Sequence, residues 1–442
     1  MRYETDDLNN ARKITPSMGE ANQVRITDRQ GPSSDALSVH AFSETWISQT
    51  LFFSSGFLFA NLDNTFSGSR IYGNDFDVGY VPDAFNGVGY FGLNGGSHKQ
   101  ENVMNLNLMA IPCKTLTIVP SIRVQKEDWN ADSSGTGTDS TSTLPFSTTS
   151  DRESLDVRER LDVRYTGLTN WVFYGSSEWT QGEGNLRENG GISLVTDPIQ
   201  RETEDSRFFQ KYSLGTRWYP AQRASIDVGG YYKNNRYDYE HRVDSTPNIP
   251  DSFNRYPAFL VMQGFETYDG NCRLTLRPLK NVSLVSRYEY QLSTIYTKPD
   301  PVSELDGVDS SRMISHILGQ TISWTPWSQL SLQAGFNYVL SKTKTPASDF
   351  TQAILDAQNN YWTLNFNAGL VLDNKTDLNL DYFYYQADNF RDNSADGVAL
   401  GAGAEEHGVT ATLTRRLTER WRLNLKYGYF HYDDVLSGKN NN

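Results

Sequence analysis

The chain has 442 residues, with 40 Lys+Arg against 53 Asp+Glu and a formal net charge of −13. That sign excludes the broad basic footprint that a nucleic-acid partner needs. Aromatics make up 13% of a chain whose hydrophobic share is only 37%. This excludes plain disorder, which is aromatic-poor, and no stretch nears the ~18 uninterrupted apolar residues of a spanning helix.

In chain order, Met1–Thr5 alternates Arg2 and Glu4 with Tyr3, like the end of a strand already under way, and Asp6–Ser34 reads as a loop. The longest greasy run is Leu51–Ala60, broken by two serines and a glycine. Side chains then alternate apolar and polar along Leu116–Val124, Leu155–Tyr165, Ile226–Asn235, Val282–Leu292, Leu330–Leu340, Leu378–Gln386 and Trp421–His431. In Leu330–Leu340, for example, Leu330, Leu332, Ala334, Phe336, Tyr338 and Leu340 share one side, and Ser331, Gln333, Gly335 and Asn337 the other. Period-2 alternation of this length predicts strands with one apolar face.

Each run pairs with a similar one across a short polar connection. These lie near Trp46–Ser48, Pro112–Lys114, Gly167–Thr169, Pro220–Arg223, Pro278–Asn281, Thr325–Ser328, Asp373–Thr376 and Leu417–Arg420, where Pro, Gly, Asn and Asp supply turn geometry. Eight hairpins make sixteen strands. The links on the opposite side are long and rich in Gly, Ser, Asp and Asn, and read as loops: Asp63–Lys99, Lys126–Arg152, Gln181–Asp205, Arg236–Arg255, Ser293–Ser311 and Ala387–Glu406.

A propeller would need four short strands per repeat, whereas each repeat here holds two strands of about ten residues, the length that crosses a bilayer. The predicted fold is therefore all-β: a large antiparallel up-and-down transmembrane β-barrel of at least sixteen strands. Residues 1–34 form a strand end and loop, 35–432 the hairpin array, and 433–442 a loop leading onward. The chain is read as part of a longer one that lacks strands on both sides, in the outer membrane of a bacterial cell and in contact with its lipid. Trp171, Trp179, Trp218, Trp324, Trp362 and Trp421 fall near strand ends, where interfacial girdles form. Four residues break the outward pattern: Glu159 sits mid-strand on the apolar phase, as do Gln210, His316 and Gln320.

Catalytic chemistry has no signature here. There is no GxSxG, HExxH or phosphate loop. Cys113 and Cys272 stand alone, and the six His show no ligand spacing. Asp392–Gly397 resembles half of a calcium loop but lacks the Glu at its twelfth position. No catalytic, cofactor or metal residue is assigned, and no enzymatic activity is expected. What remains is the polar face, the predicted lumen wall: Arg123, Arg158, Arg160, Arg164, Arg217, Lys233, Arg273, Arg277, Arg287, Arg422 and Lys426, with Arg207, Lys211 and Arg416. Fewer acids share it: Asp156, Asp162, Glu178, Asp227, Glu289 and Asp381. One reading is an electropositive interior that favours anions or grips an acidic partner. The other is a wall braced by cross-strand Arg–Asp pairs.

The run Asn61–Gly73 leaving a strand, the turn-plus-strand phrase Arg277–Tyr290 and the ladder of strands from about Asp35 to Tyr432 together resemble the MtrB/PioB outer-membrane barrels. That resemblance implies a barrel acting as the porin-like sheath of an electron conduit, enclosing a multihaem c-type cytochrome from the periplasm. The haem would belong to the cytochrome and none to this chain. The alternative is a diffusion porin for small anionic solutes.

Overall fold

Alternating side chains commit this chain to extended backbone, and the computed structural model is strand nearly throughout. It describes residues 2–7, 10–14, 26–72, 88–139, 143–192, 199–245, 260–299, 308–344, 357–389, 403–434 and 439–441. Strands β1 (Arg2–Asp7) and β2 (Asn10–Ile14) both pair with β3 (Ile26–Ser48). The series continues with β4 (Leu51–Tyr72), β5 (Val88–Cys113), β6 (Leu116–Asp139), β7 (Thr143–Tyr165), β8 (Trp171–Ile192), β9 (Ile199–Ala221) and β10 (Ala224–Ser245). Next come β11 (Leu260–Leu279), β12 (Val282–Pro299), β13 (Val308–Trp327) and β14 (Leu330–Lys344), with the short β15 (Ala357–Gln358) beside β14. The last are β16 (Tyr361–Asp373), β17 (Thr376–Asp388), β18 (Gly403–Arg416), β19 (Arg422–Asp434) and the short β20 (Lys439–Asn441). Seventeen antiparallel strands run up and down in one sheet, which is the predicted barrel topology. Among the described residues no ladder joins β1 or β2 to β19 or β20.

All eight tight connections fall at or beside the predicted sites, for example Lys114–Thr115, Lys280–Asn281 and Asn374–Lys375. At the β7–β8 turn Asn170 adopts φ 64°, the left-handed region that Asn tolerates, and the Trp171 amide donates to Leu168 at 3.1 Å.

The long links are where expectation and structure part. The strand β6 runs on to Asp139 and β7 begins at Thr143, so the expected Lys126–Arg152 loop is nearly all ladder. The described residues of the expected loops after Asp63, Gln181, Arg236 and Ser293 are likewise strand. The expected loop Asp6–Ser34 contains β2 and the start of β3. Outside lipid neither face of a strand has to be apolar, so alternation fades while pairing continues. Of the expected loop Ala387–Glu406, residues 387–388 and 403–406 are strand, and Asp392–Gly397 lies outside the described residues.

Two faces, two girdles

Directly opposite residues of an antiparallel pair lie on one face of the sheet, so the register assigns every side chain. One row runs Val157, Gln181, Phe208, Arg236, and the next, nearer the tight turns, Glu159, Trp179, Gln210, Asn234. On this face the large apolar side chains lie open: Leu161, Leu214 (75% exposed), Val228, Leu318, Phe336 and Leu364. On the other face Thr180 (1%), Asp227, Thr267, Asp269, Ser315 and Ser341 are buried although polar. A sheet curling towards closure crowds its inner side, so the polar face is the concave one.

Aromatics bound the outward apolar band at both ends. On the tight-turn side Trp171 stacks on Trp218 at 5.5 Å and on Phe173 at 5.8 Å. On the other side Trp179 meets Tyr212 at 5.8 Å, Tyr212 meets Tyr232 at 6.5 Å, and Tyr232 meets Tyr268 at 5.1 Å. The series continues through Tyr290–His316, Phe336–Trp362, Trp362–Tyr384 and Tyr384–His407. Trp171 and Trp179 are separated by eight residues of β8. At ~3.3 Å per residue and ~40° tilt this gives a band about 20 Å tall, close to the lipid-facing band of such barrels.

The girdle accounts for the residues that broke the pattern. Glu159 lies in the same row as Trp179, at the interface and not at mid-depth. Gln210 accepts from the Tyr212 hydroxyl (3.3 Å), which itself accepts from Trp179 Nε1 (2.9 Å). The Ser286 hydroxyl donates to Gln320 Oε1 at 2.5 Å, and Tyr288 Oη lies 2.9 Å from His316 Nδ1. One polar atom each of Gln210, Gln320 and His316 is thereby partnered on the lipid-facing side, which lowers the cost of placing it there.

Candidate functional site

The candidate site is the concave wall. Every predicted lumen residue falls on its parity: Arg123 opposite Arg158, Arg160 opposite Glu178, Arg217 opposite Asp227, Arg273 opposite both Asp227 and Arg287, and Arg416 opposite Arg422. Close approaches are permitted by small residues. Gly215 lies beneath the Tyr174 ring, and a Cβ there would come within 2.4 Å of the ring, so only glycine lets the tyrosine lie flat on the wall.

Two regimes occupy this face. Above mid-height, opposite charges alternate. Glu178 takes Arg158 at 3.5 Å and Arg160 at 3.8 Å, and Arg160 also reaches Asp162 at 2.8 Å. Further out, Arg207 meets Asp156 at 3.6 Å and Arg152 meets Asp205 at 3.2 Å. Lys211, opposite Lys233, lies over the Tyr231 ring at 4.4 Å. This part is the braced wall.

Near the tight turns the balance changes. Arg217 binds Asp227 at 2.5 Å, and Asp227 is only 8% exposed. Beside that pair Arg273, Arg277 and Arg287 are exposed to the lumen and make no ion pair within 4 Å among the described residues. Arg164, Lys233, Arg422 and Lys426 are likewise outside any such pair, and Arg422 and Lys426 stand apart on β19. Sequence reading missed Arg223, because a turn residue carries no strand parity, and Arg152, because its stretch resembled a loop.

Comparison with models of known families and with curated proteins yields no match. Among solved structures the fold is similar to the ferric yersiniabactin uptake receptor FyuA from Yersinia pestis, with a TM-score of 0.53 and 11% identity over 99% of this chain and 69% of that one. It is also similar to the RagAB peptide importer in its open-open state, with a TM-score of 0.51 and 8% identity over 94% of this chain and 51% of that one. At these identities the likeness is one of fold, that of bacterial outer-membrane β-barrels. The apolar band between two girdles sets the chain in the lipid of that membrane.

Proposed function

We propose that this chain forms the wall of an outer-membrane conduit, the porin-like sheath of a multihaem c-type cytochrome that enters from the periplasmic, tight-turn side. The observation that carries the reading is the height of the wall. Strands β3 to β10 have 22 to 26 residues, where ~9–11 suffice to cross lipid. At ~3.3 Å per residue and ~40° tilt they stand about 60 Å tall, roughly twice the hydrocarbon core. A simple pore needs no such chimney, whereas a chain of haems longer than the bilayer needs insulation along its whole length. A wall of seventeen strands is wide enough to enclose an aqueous lumen, and the resemblance to MtrB/PioB barrels points the same way.

Co-expression with a decahaem cytochrome and purification through the barrel tests this. A haem-staining partner held in stoichiometric amount is the expected result. A barrel that retains no cytochrome and passes ions freely by itself rejects it. That result would favour the second reading, a channel for small anionic solutes, which draws on the unpaired arginines at the tight-turn mouth.

A further inference from the structure

The arginines at the tight-turn end do not fit a bracing role. Higher on the concave face Arg152, Arg158, Arg160 and Arg207 each find a carboxylate, but here Arg273 directly faces Arg287 across β11 and β12. Like charges in that position repel and weaken the ladder. Arg277 lies four residues nearer the turn on the same face, and Arg223 is pinned above it by donating Nη1–H to the Pro278 carbonyl at 3.3 Å. Together with Arg217, Arg223, Asp227 and Thr275, Arg273 and Arg277 line a cavity of about 270 Å³ that opens to the lumen. The single acid among them, Asp227, is already held by Arg217.

From this arrangement we infer that Arg223, Arg273, Arg277 and Arg287 form a binding site for a small multivalent oxyanion, one bearing phosphate or clustered carboxylate groups. The planar guanidinium fork offers paired N–H donors matched to such oxygens. A multivalent anion placed between Arg273 and Arg287 converts their repulsion into two attractions. Arg217 serves as a fixed flank, since Asp227 occupies its Nε, and the Thr275 hydroxyl adds a neutral donor. The site lies on the lumen side of the Trp171–Trp218 girdle, so an anion arriving from the periplasmic mouth meets it first. The inference requires the concave face but neither proposed occupant of the lumen.

Calorimetric titration of the purified full chain in neutral detergent with pyrophosphate, and separately with citrate, tests the site. Saturable binding of at least one anion at low salt is expected, weakened roughly tenfold or more in R273Q/R287Q, since each lost arginine removes charge-assisted hydrogen bonds. R273K/R287K keeps the charge but loses the fork, and is expected to fall between. R187Q/R236Q, the same charge change on the outward face, is the control and should bind as the parent does. No saturable binding of either anion, or an equal loss in R187Q/R236Q, overturns the proposal. A native heat-modifiable shift on gels certifies that each variant is folded. Cytochrome retention is read in a separate experiment, so failure of the sheath leaves this result standing.

Discussion

The sheet is two structures joined edge to edge. From β3 to β10 strands of 22 to 26 residues rise far past the outer girdle, whereas β16 to β19 have 13 or 14 and end just beyond it. In the short region nearly every outward residue has a lipid or interface duty, and these positions read Leu380, Tyr382, Tyr384 or Leu413, Ala411, Val409. In the tall region the outer half of each strand is polar on both faces, tied by pairs such as Arg187–Glu202 at 3.3 Å and Arg242–Glu204 at 2.6 Å. Lipid therefore dictates sequence in one region, and solvated cross-strand pairing holds the other. The same backbone ladder serves both.

Matched deletions break the comparison most sharply. Removing Asn185–Glu188 with Arg201–Glu204 takes four opposed pairs from the chimney and leaves the register beneath intact. Removing Thr363–Phe366 with Tyr382–Tyr385 takes four opposed pairs from β16 and β17, including part of the girdle. We expect the first protein to insert into liposomes and resist heat in gels as the parent does, and the second to lose insertion. Similar behaviour of the two would erase the distinction between the regions.

Point charges resolve the boundary within a single strand. Leu214→Arg places a cation in the middle of the band and should cost ~2–4 kcal/mol in urea unfolding from lipid, whereas Ser206→Arg, beyond the girdle on the same face, should cost ~0–1 kcal/mol. A smaller effect is expected on the concave side. Arg217→Ala leaves the largely buried Asp227 carboxylate without its partner and should cost about 1–3 kcal/mol, reduced by the water of the lumen. Changing Asp227→Asn in the same protein should restore part of it. Within the girdle, Tyr212→Phe removes the acceptor of Trp179 Nε1 and should cost about 1 kcal/mol in the same assay.

These contrasts also mark what was legible in the amino-acid order. The tight turns were, because Pro220, Pro278 and Asp373 carry local geometry. The faces of Leu330–Leu340 or Val282–Leu292 were, because lipid forces alternation. The chimney was not: runs such as NADSSGTGTDSTST have loop composition, and only their partners across the ladder make them strands. Nor could Glu159 be placed in depth from its own strand, since its level is set by Trp179 on the next one. The concave parity of Arg273 and Arg287 could be read, but not that they face one another, because opposition depends on how β11 and β12 are registered.

The smallest effect belongs to a tight turn outside the membrane. Asp373 closes the β16–β17 hairpin: its Oδ1 accepts from the Lys375 amide at 2.7 Å and its Oδ2 from the Thr376 hydroxyl at 3.1 Å. The Lys375 amide is the largest influence and favours the charged form; burial opposes it, and the Thr376 hydroxyl and the Arg415 guanidinium join the amide in holding this carboxyl below the ordinary range. A depressed folded-state value means that the turn is stabilised above the ordinary carboxylate pKa of about 3.9 and loses that stabilisation as pH falls through the lower folded value. Amide hydrogen exchange at Lys375, corrected for intrinsic rate, should therefore quicken on acidification below about pH 4. Asp373→Asn, which keeps a side-chain acceptor but cannot titrate, should show no such step. Because the deleted residues of β8 and β9 make no pairing with β16 or β17, this response should be equal in the deletion that trims the chimney. A change there would mean that the tall region reaches down to stabilise the short one.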